Sequence, residues 1–259
     1  MTVIIGVDEA GYGPNLGPLV VAATAWRLSG TPAIDACPGT PSEESVHSVD
    51  LYELLSDAVA STPDRGDARL AIADSKELYR RGEGLALLEQ GVLAALQTAR
   101  NERWTTSKAN WTSLLAATDA DPLERRDELP WYQDFDCRIP IEAKWSDVDE
   151  RSQRLRTACR TGGVELLAIS ARLVFPAEFN GLVDHFGTKG AALSHVTLAL
   201  VRRVVDAAMD GDDGGNANAE TCCIHLDKHG GRNRYVALLQ HHFSDSWIET
   251  VVEGRSESR

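Results

Sequence analysis

A short apolar strand that stops on two adjacent acids is the feature that most constrains this chain. Val3-Ile4-Ile5-Gly6-Val7 is β-branched except at Gly6. It reads as a buried strand, because branched side chains fit a pleated, packed surface. It runs directly into Asp8-Glu9 and then into Ala10-Gly11-Tyr12-Gly13-Pro14-Asn15-Leu16-Gly17-Pro18. Gly and Pro at that density mark a turn. A second apolar run covers residues 19–28, and the short connection predicts an antiparallel pair. A chain that begins this way must build its core around a sheet.

Later segments alternate helical and strand periods, which predicts an α/β fold. Residues 50–60 are expected as a short amphipathic helix. Asp74-Ser75-Lys76 leads into an expected helix over 78–97, where Leu85, Leu88, Val92, Leu93 and Leu96 follow helical spacing. Residues 164–175 are expected as a strand. Residues 188–209 are expected as a long helix with Leu193, Val196, Thr197, Leu200, Val201, Val204 and Val205 on one side. Residues 221–226 form an expected strand ending at Asp227. The loop Lys228-His229-Gly230-Gly231-Arg232 opens an expected helix through residue 243, and 247–252 reads as a last strand. About residues 101–160 hold four of the six tryptophans among many charges. They are expected as an inserted subdomain or long excursion within one domain spanning 1–259.

Composition narrows the function. Hydrophobic residues make up 43% of the 259 positions, enough to bury one substantial core. Lys and Arg total 26 against 39 Asp and Glu, a formal net charge of −13. Phosphate binding rests on clustered positive charge, so this chain is not a general nucleic-acid binder. Any nucleic-acid role must use a local basic patch, or metal ions held by carboxylates. The five cysteines, Cys37, Cys137, Cys159, Cys222 and Cys223, show no zinc-site spacing and are expected as buried free thiols. No apolar run approaches the ~20 residues that span a membrane. The N-terminus has no basic, apolar leader pattern, so a cytoplasmic, monomeric protein is expected.

The chemistry-bearing residues gather at strand ends. Asp8-Glu9 follows the first strand and Asp227 follows the 221–226 strand, and functional groups collect where strands of an α/β sheet end. An acid at a strand end can simply meet water or cap a helix. Three acids flanking a Gly-rich turn favour a site for hard divalent cations, which take oxygen ligands. Gly11 and Gly13 let a ligand approach the main chain, and free N–H groups in such a turn can hold a phosphate oxygen. Lys228 and Arg232, beside Asp227, are candidate phosphate contacts. His195, amid apolar helix residues, is expected as a core histidine, and His241 and His242 as solvent-exposed.

Val7-Asp8-Glu9-Ala10-Gly11-Tyr12-Gly13-Pro14, followed by Gly17-Pro18-Leu19-Val20-Val21-Ala22-Ala23, resembles the opening of ribonuclease HII. Asp74-Ser75-Lys76 before a helix, and the long helix leading to a strand and Asp227, are similar to that family too, and the resemblance implies that Lys76 lies near the active site and contacts a phosphate. The resemblance implies a ribonuclease H-like mixed β-sheet flanked by helices. It implies endonucleolytic cleavage of the RNA strand of RNA–DNA hybrids, or at ribonucleotides embedded in DNA, with Mg²⁺ or Mn²⁺. Asp8, Glu9 and Asp227 match three of the family's four carboxylates. Glu257 is chosen for the fourth, with Glu253 as its competitor. Gly11-Tyr12-Gly13 stands where the family has Gly-Arg-Gly, a loop that contacts the ribose 2′-hydroxyl largely through backbone atoms. Against the family pattern the chain reads as shortened at its C-terminal end. A catalytically impaired nucleic-acid-binding protein of the same fold stays open as an alternative. A phosphotransferase of the sugar-kinase and actin superfamily also stays open, although no second phosphate hairpin is evident.

Overall fold

The computed structural model describes residues 1–10, 17–29, 49–64, 66–79, 84–99, 104–120, 129–209, 221–229, 231–250 and 254. The chain is mixed α/β, with a mixed four-stranded sheet flanked by helices. Its strands are β1 (Thr2–Ala10), β2 (Leu19–Leu28), β5 (Val164–Val174) and β6 (Thr221–Leu226), in the order β5-β2-β1-β6. β1 pairs antiparallel with β2, with Asp8 opposite Ala22, as the short connection predicts. β2 pairs antiparallel with β5, with a register shift between Ala25 and Trp26. β6 runs parallel to β1, with Val7 beside Leu226. A second, two-stranded sheet pairs β3 (Val59–Ala60) with β4 (Leu70–Ala71) in parallel.

Alternation along β1 sends its side chains to two different cores. Val3 and Ile5 join Val21, Ala23, Ala25 and Val174 on one face. The long helix α7 (Lys189–Met209) covers that face with Leu193, Val196, Leu200, Val204 and Ala208. These positions recur at three and four residues, so one stripe of the helix is apolar. Small Ala23 and Ala25 let the helix seat closely on the sheet. Full burial of each larger side chain contributes about 1.5–3 kcal/mol.

Ile4 and Leu28 belong to the opposite core. There α3 (Ala86–Thr98) supplies Leu93 and Leu96, and α5 (Trp145–Gly162) supplies Val148, Leu155 and Cys159. Leu155 and Val148 are fully buried, so part of the 101–160 region lies in the main core. Before it, α4 (Trp111–Ala117) begins with a reciprocal capping box between Asn110 and Ser113. Trp111 then stacks on Tyr132 with ring centroids 5.7 Å apart, and Tyr132 meets Phe175 edge-on.

Several expectations are corrected. Residues 50–60 do not form one helix. α1 (Leu51–Leu54) is short, and Val59-Ala60 leaves it to pair with β4. Burying Leu55, Ala58 and Val59 in the core of Ile4 and Leu28 outweighs continuing a helix there. The helix expected over 78–97 is split into α2 (Ser75–Leu78) and α3. Tyr79 is extended, and Gly84 sits in the left-handed region at φ 81°, which breaks the helical path. Residues 247–250 are not a strand: Trp247 is 91% exposed, so its apolar character buries nothing. Cys223 is disulfide-bonded, while Cys137, Cys159 and Cys222 are free thiols. Cys223 points into a buried position beside Ile4, a neighbourhood that local spacing does not reveal. Among the described residues no helix is long and apolar enough to cross a membrane.

Candidate active site

Parallel pairing of β1 with β6 brings three of the sequence-selected acids to one end of the sheet. The ladder reaches Val7 and Leu226. The next residues therefore stand side by side, Asp8 still paired with β2 and Asp227 just past the end of β6, and both are exposed. Glu9 is one residue further and turns to the α7 face, where it is half-buried. Asp8 Oδ1 accepts the Glu9 N–H at 2.8 Å, which fixes the Asp8 side chain against the strand end.

The electrostatics of Glu9 report the crowding. Its carboxyl is held above the usual value, first by burial, then by the neighbouring charges of Asp8 and Asp227. Its own backbone N–H opposes that rise. Like charges gathered at a desolvated spot disfavour ionisation unless a cation joins them.

His229, which the sequence reading passed over, completes this end of the sheet. It is 2% exposed and follows Asp227 by two residues. Its backbone N–H donates to the Tyr235 hydroxyl at 2.9 Å, and Arg232 N–H donates to the His229 carbonyl at 3.0 Å. Its Nδ1 lies 3.2 Å from Ser194 Oγ. The Ser194 hydroxyl already donates to the Gly190 carbonyl at 2.7 Å. Ser194 must then accept, so the network assigns the proton to His229 Nδ1. That leaves the Nε2 lone pair, buried and without a hydrogen-bond partner, 3.9 Å from Glu9 Oε2. Burial also depresses the basicity of the ring, opposed by Asp227 and helped by Arg232. The ring is a neutral acceptor aimed at a carboxylate. The only signal for it in the sequence was its place two residues after a strand-end acid.

The remaining selected residues fall in different places. Lys228 Nζ donates to the Gly254 carbonyl and lies 6.0 Å from the Tyr235 ring centroid, so it anchors the returning chain beside Asp227. Arg232 is half-buried, and its charge acts on both His229 and His195. Lys76 is exposed on α2, whose N-cap Asp74 accepts the Lys76 N–H at 2.8 Å. No described contact joins Lys76 to the three acids. Gly11, Tyr12, Gly13, Glu253 and Glu257 lie outside the described residues.

The donor set suits a hard cation: three carboxylates, with an orphaned nitrogen lone pair behind one of them. Asp8, Glu9 and Asp227 do not converge on a single point. Among the described residues, the group whose ligand atoms all fall within 4.8 Å of one another is instead His195, His241 and His242. Comparison with protein-family models, with curated proteins and with solved structures finds no match to this chain.

Proposed function

We propose that this chain is a ribonuclease HII-like, metal-dependent endonuclease that hydrolyses the RNA strand of RNA–DNA hybrids or cuts at ribonucleotides embedded in DNA. The observation that carries the reading is the juxtaposition of Asp8, Glu9 and Asp227 at one sheet end, close enough for two of them to raise the third. The strand order β5-β2-β1-β6, with β6 alone parallel to β1, supports a ribonuclease H-like fold.

Asp8, Glu9 and Asp227 would hold Mg²⁺ or Mn²⁺, with Glu257 as the fourth acid. The ions, when bound, polarise the scissile phosphate and supply hydroxide from bound water. The chain itself supplies position and charge balance. Asp8 is fixed by the Glu9 N–H, and Asp227 by the pairing of β6 with β1. His229 is buried beside Glu9 and can accept a proton at Nε2. Lys228 ties the segment at Gly254 next to Asp227. Gly11, Tyr12 and Gly13 would meet the ribose 2′-hydroxyl, the group that separates RNA from DNA. Lys76 and Arg232 would meet phosphates.

The test uses a DNA duplex holding one ribonucleotide, with Mg²⁺ or Mn²⁺. Nicking should require the metal, leave a 5′-phosphate and a 3′-hydroxyl, and disappear in Asp8→Asn. Nicking that survives Asp8→Asn refutes the site. Tight hybrid binding without nicking replaces this reading with the catalytically impaired one.

A further inference from the structure

Four of the seven histidines gather on the outer side of α7, away from any role in the carboxylate site. His195 is on α7. His241 and His242 are the last two residues of α8 (Val236–His242). His195 Nδ1 and His242 Nε2 are 3.0 Å apart. Ring centroids are 5.2 Å apart for His195–His241 and His195–His242, and 4.9 Å for His241–His242. One ring nitrogen from each lies within 4.8 Å of the others. The core role expected for His195 therefore fails: it is half-buried and shares a surface cluster. His242 is half-buried too, and only His241 is exposed as expected.

The cluster is held in place from outside. Phe186, the last residue of α6 (Pro176–Phe186), stacks on the His195 ring at 3.8 Å and 12°. His185 in turn meets Phe186 edge-on at 4.6 Å. A surface cavity of about 340 Å³ opens beside the rings, lined by Phe186, His195, His241 and His242 and by Glu178 and Arg203.

We propose that His195, His241 and His242 form a binding site for a divalent transition metal of the Zn²⁺ class, with a fourth position open to the cavity. Imidazole suits Zn²⁺, Co²⁺, Ni²⁺ and Cu²⁺, whereas the carboxylates of the other site suit Mg²⁺ and Mn²⁺. Tetrahedral Zn²⁺ with nitrogens at about 2.0–2.1 Å sets them roughly 3.3–3.4 Å apart. The donor ring of the His195–His242 pair must shift its shared proton to its other ring nitrogen, and the pair must widen slightly to admit the ion. His241 must move inward by at most about 1.5 Å, which an exposed side chain at a helix end can do. Both rings of the His195–His242 pair are biased toward the uncharged form a metal needs. Burial, aided by His241, Arg232 and His185, holds His195 below its usual pKa. Burial, with His195 and His241, pushes His242 down to about 4. A metal-binding imidazole must be unprotonated. The Arg232 charge opposes a cation, so the bound ion would favour an anionic fourth ligand.

The test titrates Co²⁺, then Zn²⁺ in competition, into the full chain without a polyhistidine tag and in excess Mg²⁺. One equivalent should bind, with visible bands of four- or five-coordinate Co²⁺ and a rise in Tm. His241→Ala, at an exposed position, and His242→Gln should each weaken binding by at least about tenfold. Asp8→Asn should leave it unchanged, which separates this site from the carboxylates. A strong near-ultraviolet charge-transfer band would mean the free thiols Cys137, Cys159 or Cys222 hold the ion instead. That band, undiminished binding in His241→Ala and His242→Gln, or no uptake of either ion overturns the proposal.

Discussion

Replacing Ser194 by Ala isolates the device that orients His229. Ser194 is fully buried, and its hydroxyl is both the acceptor for His229 Nδ1–H and a donor to the Gly190 carbonyl. The substitution removes one oxygen and leaves the His229 N–H buried without a partner. An unmet buried donor costs about 1–3 kcal/mol. Alanine is the better helix former by about 0.5 kcal/mol, which offsets part of that loss. The net expectation is a loss of about 1–2 kcal/mol. In a chain of this size that lowers Tm by roughly 2–8 °C. Thermal denaturation followed by circular dichroism measures it, without divalent metal so that binding does not mask the change. Nitrogen NMR of the imidazole should show Nδ1 protonated in the parent and a mixed or reversed tautomer in the variant. A variant as stable as the parent or more stable, or a parent with its proton on Nε2, refutes the assigned network.

Other outcomes follow from the same geometry. Glu9→Gln removes one of three crowded carboxylates, so in chelator and at low ionic strength it should raise Tm while abolishing metal-dependent nicking. Leu155→Ala, fully buried on α5, should cost about 2–5 kcal/mol, whereas Gln153→Ala on the exposed face of the same helix should shift the urea midpoint little. Acid should destabilise the fold through the histidine cluster. His195 and His242 have folded pKa values below the unfolded value of 6.5, so as pH falls the unfolded chain takes up protons first. Stability is lost between about pH 6.5 and 4, and the urea midpoint should fall across that window less steeply in His242→Gln.

Local pattern was enough to read β1, β2, β5, β6 and α7. The β-branched run of Val3 to Val7 and the apolar stripe of α7 carry their periods without help from the rest of the chain. The acids Asp8, Glu9 and Asp227 were legible because each follows an apolar run: Asp227 does stand just past β6, whereas β1 continues through Asp8 and Glu9 to Ala10, held there by its pairing with β2. Tertiary context decided the rest. Val59-Ala60 left a helical pattern because a partner strand and a core were available to it. Trp247 looked like strand interior and stands in solvent. His229 became a buried acceptor facing Glu9 only because the loop after β6 folds back onto Ser194 of α7 and onto Tyr235, the residue before α8. His195 met His241 and His242 only because α8 packs along α7 across more than forty intervening residues. Periodicity is a property of neighbouring residues, so the sequence alone determined where its apolar runs give way to acids. Convergence of distant side chains depends on how helices and loops pack, and only the tertiary structure could decide it.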